Sequence, residues 1–422
     1  MKSILRLLKA QMNKIYQSLF FLLKYKRKII KINKKISNNN KQNIIPIIID
    51  CELSTLNQYL EPVVEELIKI PGQLFEFYFG ETIKDAGSSY IRYNKKNTFP
   101  VEIYPYLKGN MIFLSPHIYP KGPPSALKIF FDHAICSAKF SHHPEYYYTY
   151  YDIHCVTGKI NEEKVLKILK QFNLSNKVKV VNIGYPKSDK LFNGLLSKND
   201  IFEKLKLDPR KKTILYAPSW EEGLSLREYG LSMIEEILKN KEINFIIKPH
   251  PVSLVSKKDK NYQFYCGGIN WSEKLSRFKN NSNFVFYKNN QIDELLTISD
   301  IMITDLSSVA LEFIILEKPV IYLDCPKFEK AFKTIYKEFN DISYSDLLNN
   351  PLCNAGRHVG LVNYDYKTIN DNINFIIKNP DYKINERLEY ANNLLSNKGI
   401  SSKVCSNMII DNFVKYIEKQ SA

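Results

Sequence analysis

No two of the seven cysteines in this 422-residue chain are spaced as CxxC, and their number is odd. Cys51, Cys136, Cys155, Cys266, Cys325, Cys353 and Cys405 are scattered, several of them in or beside apolar runs. That excludes a disulfide framework and fits buried free thiols in a reducing compartment. No His, Cys and Asp residues fall at metal-ligand spacing, so no catalytic metal is expected. No repeat with a period of about 20–50 residues is visible, which excludes a solenoid. Acidic side chains are wholly missing from residues 1–42. What is present is ample apolar material: 44% of the residues are hydrophobic, enough over this length for two domains.

The missing acids matter because residues 1–42 hold ten Lys and two Arg, so they carry +12 of the net +16. Ile4, Leu8, Met12, Ile15, Leu19 and Leu22 recur at helical spacing, and so do Lys24, Lys28, Lys31 and Lys35. The longest apolar run here is Leu19–Leu23, far short of the roughly 20 residues a membrane span needs. A secretory leader is also a poor match, for want of a long apolar core and a small-residue cleavage site. A basic amphipathic helix on an anionic membrane surface accounts for the pattern. A solvated helix or a partner-binding arm is the alternative. Nucleic acid is disfavoured, because no recognised module or aromatic-basic interleaving follows. Ser37 to Asn43 reads as a flexible link.

Beyond it, apolar runs alternate with helical stretches. Ile44–Ile49, Phe75–Phe79, Met111–Leu114, Leu127–Phe131, Ile153–Val156 and Val178–Ile183 are strand candidates of one domain. Thr213–Ala217, Phe245–Lys248, Phe284–Tyr287, Ile301–Thr304 and Val320–Leu323 follow in a second. Unbroken Ile/Val/Phe runs belong to parallel strands covered on both faces. The order predicts two doubly wound α/β domains, with the site in the cleft at the strands' carboxyl ends. The expected division is a basic segment 1–43, a first domain 44–190, a second 191–375, and helices over 376–422.

The strand ends carry the chemistry. Ser299 to Asp324 (SDIMITDLSSVALEFIILEKPVIYLD) reads as strand, turn, helix and strand, a βαβ unit with Ser307 and Ser308 at the helix mouth. Unpaired N–H groups and the helix dipole favour an anion there, although an ordinary N-cap also accounts for the serines. Phe245 to Lys248 runs into Pro249-His250-Pro251, placing a cation and an imidazole at a sheet edge. Thr213 to Tyr216 ends in Ala217-Pro218-Ser219-Trp220, and Asn182-Ile183-Gly184-Tyr185-Pro186 ends another strand.

Taken in order, IGYPKSDKLF, ILYAPSWEEG, FIIKPHP and SDIMITDLSSVALEFIILEKPVIYLD resemble the CDP-glycerol glycerophosphotransferases, the teichoic-acid polymerases and primases with their capsule relatives. The resemblance spans residues 182 to 324. It implies a GT-B fold, a CDP-activated polyol donor on the second domain, a polymer or lipid-linked acceptor, and a peripheral place at the cytoplasmic face of the membrane. No cofactor is expected. Donor residues would be Pro218, Ser219, Lys248, Thr304, Asp305, Ser307, Ser308 and Glu312, with His250 and Lys248 neutralising charge on the leaving CMP and Glu312 accepting from the ribose or the polyol. Family members usually carry a Trp-His-Gly turn whose His is taken as general base. Here the matching place reads Asp132-His133-Ala134, leaving His133 as base, His142 and His143 as rivals, and Lys139 on the acceptor side. The changed turn residues imply a changed acceptor or donor. A GT-B glycosyltransferase using a CMP- or UDP-sugar, a nucleotide-sugar epimerase, and a non-catalytic membrane-docked scaffold of a polysaccharide assembly complex remain the alternatives.

Overall fold

A computed structural model describes residues 23–50, 57–81, 97–116, 122–132, 134–135, 145–335, 343–351 and 353–421. Among these, β1 (Ile44–Asp50), β2 (Leu74–Glu81), β3 (Thr98–Pro100), β4 (Met111–Ser115), β5 (Ala126–Phe131), β6 (Ile153–Val156) and β7 (Lys179–Asn182) form a parallel sheet. Its order is β3-β2-β1-β4-β5-β6-β7. A second parallel sheet holds β8 (Lys212–Tyr216), β9 (Ile243–Ile247), β10 (Phe284–Phe286), β11 (Ile301–Thr304), β12 (Val320–Leu323) and β13 (Leu361–Asn363), ordered β10-β9-β8-β11-β12-β13. Every residue of β4, β9, β11 and β12 is buried, which is why these strands read as unbroken apolar runs. Each Ile or Leu taken wholly inside contributes about 1.5–3 kcal/mol. In both sheets the order reverses beside the first strand, at β1/β4 and at β8/β11. The second of these switch points forms the cleft described below.

The chain crosses between domains twice, and the crossings are locked together. Ile183 to Asp189 is the first, and residues 395–400 are the second. Gly184 takes φ +84°, where a Cβ would collide with Ser401 and the Ser396 carbonyl, so this close approach requires glycine. The Tyr185 N–H donates to Ser401 Oγ at 3.0 Å, and the Ser396 N–H to the Thr157 carbonyl at 2.9 Å. Asp189 caps the last helix, Ser401–Ser421, accepting from the Ser401 and Ser402 N–H groups at 3.0 and 2.7 Å. That helix returns to the first domain, where Cys405, Met408, Ile409 and Phe413 share one apolar cluster with Ile47, Ile49, Leu114 and Ile129.

The basic segment departs from the expected arrangement. Residues 23–41 are one helix, so 37–41 are its last turns and not a link. Ile29 and Ile36 are buried against Tyr78, Phe99, Ile103 and Phe113 of the first domain. Its asparagines serve the fold: Asn33 donates to the Tyr106 carbonyl and accepts from the Lys108 N–H, both at 3.0 Å, and the Asn40 amide brackets Asn110. Polar residues that would loosen an isolated helix are kept here because their amides satisfy neighbouring main chain. The apolar positions expected from Ile4 to Leu22 lie outside the described residues; in the described part of the segment Ile29 and Ile36 face the protein's own core, while Leu23 and Ile30 are exposed. Its basic side chains Lys24, Lys26, Arg27, Lys28, Lys31 and Lys34 face solvent.

Candidate active site

Three strands of the second sheet end at one cleft. After β8 come Ala217 to Trp220, after β9 Lys248 to His250, and after β11 Leu306 to Ser308. With Glu312, Lys187, Asn290 and Ile292 they line a cavity of about 480 Å³, closed from the first domain by Gln58, Tyr59 and Ala134. That volume suits a small organic ligand.

The loop after β8 is held from behind. The Asp305 carboxylate accepts from the Ser219, Ser225 and Leu306 N–H groups at 3.0, 3.0 and 2.7 Å and from the Ser225 hydroxyl at 2.6 Å. Thr304 Oγ1 donates to the Ala217 carbonyl at 2.7 Å. Both residues are buried and neither lines the cavity, so they differ from the expected donor ligands. They cannot reach a ligand because strand and loop backbone consume their polar atoms, and their work is to shape the turn that carries Pro218 and Ser219. At the mouth, Ser307 Oγ accepts the Val309 N–H at 3.4 Å. Ser308 is exposed, makes no capping hydrogen bond and lines the cavity, so the N-cap alternative does not describe it.

Lys248 is the unusual group. It is 7% exposed, lines the cavity, and makes no side-chain hydrogen bond or ion pair among the described residues. Burial, then the like charge of Lys187, lowers its pKa to about 8. An ammonium left unpaired in a nearly dry wall is costly unless a ligand anion completes it. Two residues on, His250 accepts the Val252 N–H on Nδ1 at 3.4 Å, which leaves Nε2 as the N–H donor of the neutral ring. Pro249 and Pro251 fix the backbone on either side of it.

Lys187, outside the sequence-derived candidates, is the second buried cation. It sits in the first crossing with its side chain 3% exposed, 2.7 Å from Glu312 and 3.8 Å from Asp293. Burial alone would lower its pKa, but Glu312, Tyr59 and Asp293 outweigh that and hold the ammonium charged. Its signal was the lysine inside IGYPKSDKLF, a motif whose glycine and proline draw attention first.

On the acceptor side, His133, Lys139, His142 and His143 lie outside the described residues. Beside them, Asp132 accepts the Ala134 N–H at 3.2 Å and Ala134 lines the cavity. Among the described residues no group of three His, Cys, Asp or Glu side chains could hold a metal ion, and no helix is long and apolar enough to cross a membrane.

The pattern of the CDP-glycerol:poly(glycerophosphate) glycerophosphotransferases matches residues 148–351. That match takes in just under half of the chain. The matched segment contains the second sheet up to β12 and the three strand ends of that sheet that line the cleft. Teichoic acid poly(glycerol phosphate) polymerases of Bacillus spizizenii and Staphylococcus epidermidis are 30% and 28% identical to the chain over 181 and 171 residues, 40% and 38% of it. These matches span 41% and 22% of the relatives' own lengths, so the chain covers less than half of either. A variant of the wall teichoic acid polymerase TagF soaked with CDPG superposes with a TM-score of 0.59 at 16% identity, over 96% of this chain and 99% of that one. A putative UDP-N-acetylglucosamine 2-epimerase of Listeria monocytogenes gives 0.55 at 14% identity, over 89% and 97%. At such identities the likeness is one of fold: the matched segment sits in a GT-B architecture of two Rossmann-like domains about a cleft.

Proposed function

We propose that the protein transfers glycerol phosphate from CDP-glycerol to a hydroxyl of a cell-surface polymer or lipid-linked acceptor, releasing CMP. The observation that carries this reading is Lys248, a buried cation without a side-chain hydrogen bond or ion pair among the described residues, opening on the cleft beside His250 and Ser308. Those three groups suit a diphosphate. The acceptor oxygen attacks the distal phosphorus of the donor, a new P–O bond forms, and the bond to the bridging oxygen breaks. CMP leaves with that electron pair, and its growing charge falls on Lys248 and His250. The acceptor proton goes to a base on the first domain, for which His133 is the candidate. The cationic charge comes from side chains, so EDTA should leave turnover unchanged.

The exposed basic face of helix 23–41 supports a peripheral place on an anionic membrane surface, the expected site of the acceptor.

Incubation with CDP-glycerol, CDP-ribitol, CMP-sugars and UDP-sugars, scoring nucleotide release in the presence of acceptor, tests the reading. CMP release from CDP-glycerol is the expected result. Release only from a sugar nucleotide would replace it with glycosyl transfer. His133→Ala should abolish transfer while CDP-glycerol still binds, since base and donor site belong to different domains. Full activity would hand the role to His142 or His143.

A further inference from the structure

Side chains from three elements converge on Lys187. Its Nζ lies 2.7 Å from Glu312 Oε2, 3.8 Å from Asp293 Oδ1 and 5.4 Å from the centre of the Tyr59 ring. Tyr59 belongs to the helix Asn57–Ile68 of the first domain, Glu312 to the helix after β11, and Asp293 to the helix Asp293–Ile298. Asp293 also takes Lys190 at 2.6 Å. Two lysines and two carboxylates thus neutralise one another, and Lys248 stays outside as the surplus charge.

The division of labour at Glu312 is the informative part. Oε2 takes the Lys187 ammonium, while Oε1 makes no hydrogen bond among the described residues, and the residue forms part of the cavity wall. A carboxylate oxygen presented in this way is an acceptor for a ligand hydroxyl. Lys248 also feels the charge of Glu312, so without Lys187 it is the cation open to pairing with that carboxylate. Pairing those two would consume both the hydroxyl acceptor and the phosphate cation.

We propose that Lys187 is a positioning residue of the donor site, holding Glu312 on the cavity wall as an acceptor for a donor hydroxyl and keeping it off Lys248. The proposal rests on reading the cleft as the CDP-glycerol site. Ribose and the glyceryl group both offer a vicinal pair of hydroxyls, so the chemistry is shared and the test separates the sources. Affinities of CDP-glycerol, its 2′-deoxyribose analogue and CDP-propanol, which lacks the glyceryl diol, are measured on the full chain by calorimetry. The proteins compared are the native one, Lys187→Met, Lys187→Arg, Glu312→Gln, the Lys187→Met/Glu312→Gln double variant and Lys248→Met.

The native protein should bind one of the two analogues about tenfold or more weaker than CDP-glycerol, the scale for losing a hydrogen bond to a charged group. The 2′-deoxy arm assigns Glu312 to ribose and the propanol arm to the glyceryl group. Lys187→Met and Glu312→Gln should each reduce that discrimination to about twofold or less. The double variant should do no worse than either single one, and Lys187→Arg should restore it. Should Lys187→Met not fold, the double variant, which leaves no unpaired glutamate, and Lys187→Arg carry the same comparison. Discrimination that survives in a folded protein lacking Lys187, or an equal loss for all three ligands, overturns the positioning role. That outcome leaves the donor-site reading intact so long as Lys248→Met weakens all three ligands. If Lys248→Met also binds them unchanged, the donor-site reading is the one that falls.

Discussion

At the scale of single residues the site is a set of side chains with unequal freedom. Thr304 and Asp305 commit their side chains to the loop after β8, whereas the Lys248 ammonium makes no hydrogen bond among the described residues. A lysine whose pKa is lowered on folding binds fewer protons in the native than in the unfolded state between about 8 and its ordinary value near 10.4. It therefore opposes folding below pH 8, and that cost fades as pH rises toward 10.4. Lys248→Met should accordingly raise stability at pH 7, on the order of 1 kcal/mol, with the gain gone by about pH 10.4. The same variant should lose on the order of 10²-fold in transfer rate, the scale for one electrostatic stabiliser of a developing anion. Urea melts at several pH values and CMP release check the two halves. A variant that is both less stable and fully active would contradict each. In the native protein, donor affinity should weaken as pH climbs through about 8, while the Met variant is flat there. His250→Ala and Ser308→Ala should each slow transfer on the same 10²-fold scale, since neither packs in the core. Normal turnover by both would show that the phosphates bind elsewhere.

At the scale of elements, the most revealing joint is Asp189 on the helix Ser401–Ser421. Asp189→Ala leaves the Ser401 and Ser402 N–H groups without their acceptor and should cost about 1–2 kcal/mol in chemical denaturation, with a loss below about 0.5 kcal/mol refuting the capping role. This joint was not legible in the sequence, because it ties residues far apart along the chain. The strands were largely legible. β11 and β12 fall on the residues expected, because strands buried on both faces leave an unbroken apolar trace. β3 and β13 were missed: each is three residues at a sheet edge, one of them ending in Pro100, too short to carry a pattern. The cavity wall was legible at Pro218, Ser219, Lys248, His250, Ser307, Ser308 and Glu312, because each stands just after a strand end of the second sheet or, for Glu312, in the first turn of the helix that follows one. Lys187 and Tyr59 were not, because they reach the cleft from the crossing and from the opposite domain. The segment 37–43 misled because a run of asparagines looks like a linker until the main chain it binds is known.

At the scale of the whole molecule, the helix 23–41 is both part of the first domain and its most basic surface. Deleting residues 1–42 would remove Ile29 and Ile36 from a packed cluster, where losing a large aliphatic side chain costs about 2–5 kcal/mol. That deletion should lower the melting temperature and so confounds any test of membrane binding. A cleaner test replaces the exposed Lys24, Arg27, Lys28 and Lys31 by Gln. Each charge contributes about 1 kcal/mol at an anionic surface, so flotation with anionic vesicles should fall sharply at low salt while the melting temperature holds. Undiminished flotation would remove the membrane reading. The return of the helix Ser401–Ser421 to the first domain also bears on biosynthesis. As the chain leaves the ribosome, β1 to β7 emerge long before the helix that covers Ile47, Ile49 and Leu114. The first sheet must wait, the face carrying those residues covered only in part by the helix Asn57–Ile68, until the second domain has been translated. Nascent-chain chaperones would meet the exposed part first, and residues 44–190 expressed alone would keep it exposed.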